Sequence, residues 1–135
     1  MARHVYQATL RWSDMDAYRH VNNVQYLRYL EEARVDMMFT LGQREGAKTL
    51  AEGVVIARHE IDYRHPLVWR PEPIRVETWV MSIRAAQFQL AYEILDDDHV
   101  YARATSVLVP YALDDQRPRR LNQDERRYLE GFLEA

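Results

Sequence analysis

A chain of 135 residues, 47% apolar and 29% charged, has the size and composition of one globular domain with a substantial core. Its formal charge of −3 and pI near 5.9 argue against nucleic acid as a general partner. The lack of cysteine excludes disulfides, thiol nucleophiles and cysteine metal sites, so any chemistry must use oxygen and nitrogen groups.

The opening MARHVYQATLRW lacks the uninterrupted apolar stretch of a signal peptide. No window approaches the roughly 18 apolar residues of a membrane helix. A cytoplasmic location without membrane attachment is therefore expected. Val5, Leu10 and Trp12 give the apolar alternation of a first strand, closed by a polar turn at Ser13, Asp14 and Asp16. Asn22 and Asn23 then offer helix caps, with Gln25 as a capping-box partner for Asn22. From Val24 onward, Tyr26, Leu27, Leu30, Ala33, Met37, Met38 and Leu41 recur at spacings of three and four. Gly42 reads as the stop, giving a helix of about five turns.

Residues 43–52 read as a short helical or irregular piece ending at Gly53, after which the period changes to alternation. Strands are expected at 54–63, 74–83, 88–95 and 100–111, with a turn at Asp96, Asp97 and Asp98 between the last two. With the N-terminal strand the count is five. One long helix after the first strand, then four consecutive strands, reads as α+β with an antiparallel sheet rather than a βαβ repeat. Residues 122–134 carry a second capping box, Asn122 with Glu125, and apolar Tyr128, Leu129, Phe132 and Leu133 at helical spacing. The whole chain, 1–135, is read as one domain.

Chemistry concentrates before the long helix. A helix start presents unpaired N–H groups and the positive end of the peptide dipole, which favour a carboxylate, a phosphate or a developing oxyanion. Asp16 and His20 stand just upstream, so a loop folded back over the helix tip would gather a carboxylate, an imidazole and amide donors, the parts that acyl transfer to water requires. Taken singly, Asp14 or Asp16 could be turn residues and Asn22 a structural cap. Their combination points to a site.

The run DMDAYRHVNNVQY with EEAR downstream resembles the signature of the hotdog-fold acyl-CoA thioesterases, the 4-hydroxybenzoyl-CoA thioesterase-like superfamily. The resemblance rests on Asp16, on Tyr26 ten residues later, and on Glu31 and Arg34; IDYRHPLVWRPEPIRVETWV and RPRRL agree more weakly. It implies a sheet of about five antiparallel strands wrapped around one central helix. It implies Asp16 as general base or nucleophile, with the backbone N–H of Asn23 polarising the thioester carbonyl. The plant acyl-carrier-protein thioesterases of this fold carry an asparagine two residues before the histidine of a related HVNN stretch. Tyr18 holds that position here, so their roles do not transfer, and His20 is kept as an orienting or substrate-contacting member of the catalytic group.

Substrate contacts are expected from Tyr26, Tyr63, Arg84, Gln87 and Arg117, with Arg84, Arg117, Arg119 and Arg120 as phosphate binders or else a solvated basic loop. Glu31 or Glu32 should face the sheet and need a partner such as Arg34, as a structural ion pair. His59 and His65, six apart, have no third ligand at suitable spacing, so no metal is expected, and no cofactor beyond the coenzyme A of the substrate. The resemblance further implies a homodimer or homotetramer with substrate at the subunit interface. Two other readings stay open: an acyl-thioester binding module without turnover, and a thioesterase acting on acyl carrier protein.

Overall fold

A computed structural model describes residues 2–134. The first strand, β1 (His4–Ala8), leads through a 3₁₀ turn (Trp12–Asp14) and a loop into α1 (Asn23–Val35). That helix continues as a π-helical stretch, Asp36–Leu41, and a last turn, α2 (Gly42–Arg44). A 3₁₀ segment, Lys48–Glu52, precedes β2 (Val54–Tyr63), β3 (Ile74–Ile83), β4 (Phe88–Leu95) and β5 (Val100–Ala112). A two-residue β6 (Arg117–Pro118) and α3 (Gln123–Glu130) complete the chain. The strand order is β1-β3-β4-β5-β2, all neighbours antiparallel, with β6 beside β5.

The sheet curls around the helix because alternate residues of its central strands are apolar. Ile74, Val76 and Val80 of β3, Phe88, Leu90 and Ile94 of β4, and Leu108 of β5 are buried on one face. Against them α1 presents Tyr26, Tyr29, Leu30 and Ala33, at the spacing that puts them on one helical stripe. β2 differs: nearly all of it is exposed or half-exposed, and it pairs only with β5. It is an open edge of ten residues.

Three features depart from expectation. Gly42 does not stop the helix; it is itself helical and buried, and its N–H donates to the Met37 carbonyl. The Tyr128 hydroxyl donates to that same carbonyl at 2.6 Å. A Cβ at position 42 would meet the Met37 oxygen at 3.4 Å and the Ala47 oxygen at 3.6 Å, ordinary van der Waals contacts, so packing does not demand glycine there. The turn that ends the helix comes later, at Gly46, with φ of +89°. Second, the five expected strands make up the sheet, and what the sequence did not signal is the added two-residue β6 beside β5, too short to be periodic. Third, α3 stops at Glu130, and Phe132 to Glu134 lie along β3, exchanging backbone hydrogen bonds with Val80. The expected capping box at Asn122 and Glu125 forms in both directions. At the start of α1, Asn22 caps through its side chain to the Val24 N–H, and no bond from Gln25 returns it among the described residues.

Candidate functional site

The loop before α1 is folded as a tight clamp. Met15 and Val21 pair across it, the Asp16 N–H donates to the His20 carbonyl at 2.9 Å, and the Arg19 N–H donates to the Asp16 carbonyl at 3.1 Å. Arg19 takes a left-handed φ of 66° to make that reversal. Two further bonds hold the clamp to the body: Val21 N–H to the Leu67 carbonyl at 2.7 Å, and Asn22 N–H to the Asp14 carbonyl at 2.9 Å. The result sets Asp16 and His20 at the same level on opposite limbs, beside the first turn of α1.

These residues line one open cavity of about 530 Å³ with Tyr18, Val21, Asn23, Tyr26, Tyr63, Arg64, His65 and Pro66. The carboxylate of Asp16 is oriented by one bond, from the Tyr18 N–H to its Oδ1 at 2.8 Å. In the first helical turn, the Val24 N–H is taken by the Asn22 side chain and the Gln25 N–H by the Asn22 carbonyl. The Asn23 N–H has no acceptor among the described residues and stands at the positive end of the helix dipole. Across the cavity, the Tyr63 hydroxyl donates to the Asn23 carbonyl at 3.1 Å, and its ring meets that of Tyr26 edge-on at 5.1 Å. Burial pushes the Tyr26 hydroxyl above its ordinary pKa, keeping it a neutral donor.

Asp14, two residues before Asp16, has a different environment. It is buried, with Oδ2 accepting from Arg28 at 2.6 Å, from the Tyr29 hydroxyl at 2.7 Å and from the Arg11 N–H at 3.2 Å. This acid ties the loop to the second turn of α1. Burial, then the Asp14 carboxylate, push the Tyr29 hydroxyl far above its usual pKa, so it stays a donor. His65 enters the cavity wall by stacking on His99 at 3.8 Å, with Tyr101 edge-on to both. Below them Asp96 accepts from Tyr101, Arg70 and the N–H groups of Asp98 and His99. Burial raises that carboxyl, but these four bonds outweigh it and hold it well below the ordinary range.

Five of the eight expected site residues thus meet: Asp16, His20, Asn23, Tyr26 and Tyr63. Arg84, Gln87 and Arg117 do not join them within one chain. Arg84 and Gln87 close the β3–β4 turn through an N–H to carbonyl bond of 2.8 Å, and Arg117 is exposed in β6. On β5 that end of the sheet is marked by Leu108, the partner of Phe88, and the cavity end by Ala102, the partner of Tyr63. Six residues of strand separate them, roughly 20 Å.

Arg119 is committed to Glu125 at 2.7 Å, so it is a structural cation rather than a phosphate binder. Glu31 is exposed, and Glu32 pairs with Arg28 at 3.5 Å instead of with Arg34. His59 bonds Ser106 at 2.6 Å, and among the described residues no group of three metal-ligating side chains occurs. Sequence reasoning missed Tyr18, Arg64, His65 and Pro66 as lining residues. For Arg64, His65 and Pro66 the one signal was the abrupt end of a strand at a His-Pro pair.

Comparison with known proteins agrees with this architecture. The profile of the Thioesterase-like superfamily matches residues 10–129. Long-chain acyl-CoA thioesterase FadM of Escherichia coli is 36% identical over 62 residues, 46% of this chain and 47% of that protein. The match thus spans about half the length of that curated relative. A predicted thioesterase from Bacillus stearothermophilus superimposes with a TM-score of 0.87 at 25% identity, covering 99% of this chain and 98% of the other. A putative thioesterase from Pseudomonas aeruginosa, the PA2801 protein, gives 0.80 at 29% identity, over 92% and 95%. The wrapped helix is the hotdog fold, and the chain belongs to the thioesterase-like superfamily.

Proposed function

We propose that this protein hydrolyses the thioester of an acyl-coenzyme A, releasing the free acid and coenzyme A. The observation that carries the reading is the shared cavity: a carboxylate (Asp16), an imidazole (His20) and an uncommitted amide (Asn23 N–H) around one open volume of about 530 Å³. Family membership and the resemblance to a long-chain acyl-CoA thioesterase support it.

The chemistry follows from the parts. The thioester carbonyl oxygen, placed at the Asn23 N–H, gathers negative charge in the transition state, where the helix dipole and the amide stabilise it. Asp16 removes a proton from the attacking water, or attacks directly to form an anhydride that water then opens. Coenzyme A leaves as a thiolate, a good leaving group that needs no strong general acid. Tyr26 and Tyr63 give the acyl group an apolar wall. His20 orients the water or contacts the substrate. A homodimer or homotetramer, with the cavity against a neighbouring subunit, is the arrangement in which Arg84, Gln87 and Arg117 join the site. No helix among the described residues is long and apolar enough to cross a membrane.

The test is thiol release by the purified protein across a panel of short, long and aromatic acyl-CoAs, each also presented on acyl carrier protein. Turnover of at least one acyl-CoA, faster than of the same acyl group on the carrier protein, is expected. Acyl-CoAs that raise the melting temperature yet release no thiol over hours would refute hydrolysis.

A further inference from the structure

The two flanks of α1 differ. Its backbone lies over β1 and β3, and on that flank Glu32 accepts from the Tyr6 hydroxyl at 3.4 Å and Asp36 meets the His4 ring at 2.8 Å. Arg34 stands two residues from each, about 200° around the helix, so it points to the opposite flank, over β4, β5 and β2. There its Nη1 donates to the Tyr92 hydroxyl of β4 at 3.3 Å, its only hydrogen bond among the described residues. Arg34 is only 7% exposed, and no carboxylate among the described residues lies within 4 Å of its guanidinium. A buried guanidinium with a single neutral acceptor is costly, because five N–H donors and a full charge have left water. A hydroxyl on the same interior face is also without a partner: Thr78 Oγ1, fully buried, on the β3 residue opposite Tyr92.

Two tracks join this cation to the cavity beside Asp16. On α1, Tyr26, Leu30 and Arg34 follow at steps of four along one stripe. On β2, Tyr63, Ile61 and His59 follow at steps of two, the side chains of one sheet face. At the cavity the tracks meet in the edge-on contact of Tyr26 with Tyr63. At the far end they converge on β4 and β5: Tyr92 accepts from Arg34, the His59 ring bonds the Ser106 hydroxyl at 2.6 Å, and Ser106 lies two residues beyond Ala104, the partner of Tyr92. Between the ends stand Leu30, Ile61 and Ala104, all apolar. The span is about 12 Å over eight helical residues and about 13 Å over four strand residues. Nε and Nη2 of Arg34 are not among the enclosed side-chain atoms that lack a partner, so they still face open space. The route from the site is apolar along its length and cationic at its end.

We infer that the acyl group this protein takes carries a carboxylate at its far end, and that Arg34 binds that carboxylate and so sets specificity. A guanidinium fork matches a carboxylate with two parallel N–H···O bonds. An acyl chain ending in methyl would instead leave the Arg34 charge and the Thr78 hydroxyl buried without acceptors. The span fits a chain in the range from suberoyl to sebacoyl. This inference deepens the acyl-coenzyme A hydrolysis proposed above and rests on it for turnover, whereas capture of the carboxylate does not require turnover.

Thiol release from suberoyl-CoA and from octanoyl-CoA, acyl groups of equal length that differ at the far end, tests it on the full chain. Wild-type kcat/KM at least about tenfold higher for suberoyl-CoA is expected, mainly through KM because the contact is distant from the reacting carbon. Arg34→Met should erase that preference without lowering the melting temperature, since it removes a buried charge that has no counter-charge in the chain. Equal kcat/KM, or a preference for octanoyl-CoA, overturns the inference on the wild type alone; a preference that survives Arg34→Met overturns the role of Arg34. Should that variant not fold, Arg34→Lys decides: it keeps the charge and loses the fork, and an undiminished preference overturns the assignment. If neither thioester releases thiol, hydrolysis fails as a reading and melting curves decide the carboxylate site separately. Suberoyl-CoA must then stabilise the wild type more than octanoyl-CoA does and lose that advantage in Arg34→Met; equal stabilisation overturns the inference.

Discussion

The two ends of this sheet treat charge in opposite ways. At one end α3 is clasped to the body by a closed set of partners: Glu125 is fully buried and accepts from Arg119 at 2.7 and 2.9 Å, from the Thr49 hydroxyl at 2.9 Å and from the Asn122 N–H. At the other end, the loop over α1 leaves Asp16 with a single backbone donor and the Asn23 N–H with no acceptor. A saturated cluster holds structure, whereas an unsaturated one holds free donors and acceptors for a ligand. The contrast recurs over two residues of one loop, between Asp14, enclosed by Arg28, Tyr29 and the Arg11 N–H, and Asp16, facing the cavity.

The contrast breaks most sharply at Asp16. Asp16→Asn should lower the rate of acyl-CoA hydrolysis by about 10²–10⁴-fold, the usual worth of a positioned base, while the melting temperature stays near wild type. Kinetics beside a circular-dichroism melt check both halves. Asp14→Asn should do the reverse, costing about 3 kcal/mol of stability by denaturant titration, because Arg28 loses its buried partner charge. The folded fraction should keep far more activity than Asp16→Asn.

Glu125→Gln should cost a similar amount and also change the response to acid. Burial pushes the Glu125 carboxyl up, but Arg119, the Asn122 amide and Thr49 outweigh it, so its folded pKa lies below 4.5. A depressed carboxyl contributes stability that is complete above its unfolded pKa and is lost as pH falls through the folded value. The variant's stability should therefore fall less steeply than wild type below about pH 4.5, measured by urea titration at several pH values. The smallest effect belongs to Tyr63→Phe, which removes the strand-to-helix bond to the Asn23 carbonyl. It should cost under about 1 kcal/mol and appear mainly in KM.

What could be read in the chain beforehand follows from where the information is local. The helix start at Asn22, the four long strands and the Asn122–Glu125 capping box are written in periodicity and caps, and all appear at the expected places. Gly42 misled because a glycine can also continue a helix: its backbone keeps helical angles, φ −59° and ψ −40°, and the left-handed turn falls at Gly46 instead. The gathering of Asp16, His20, Asn23 and Tyr26 was legible because all four lie within eleven consecutive residues. His65, which joins the cavity from beyond the end of β2 and leans on His99, lies far along the chain from that cluster. Nor did sequence separate Asp14 from Asp16 by burial, since the difference comes from Arg28 and Tyr29 one helical turn beyond the tip.

The most direct test of the central claim is a crystal structure with a nonhydrolysable acyl-CoA analogue, in which a thioether or ketone replaces the scissile group. This account predicts the carbonyl oxygen or its equivalent about 3 Å from the Asn23 N–H, with the Asp16 carboxylate on the opposite face of the reacting carbon. An acyl group bound elsewhere, or Asp16 turned to bulk solvent away from the reacting carbon, would contradict it.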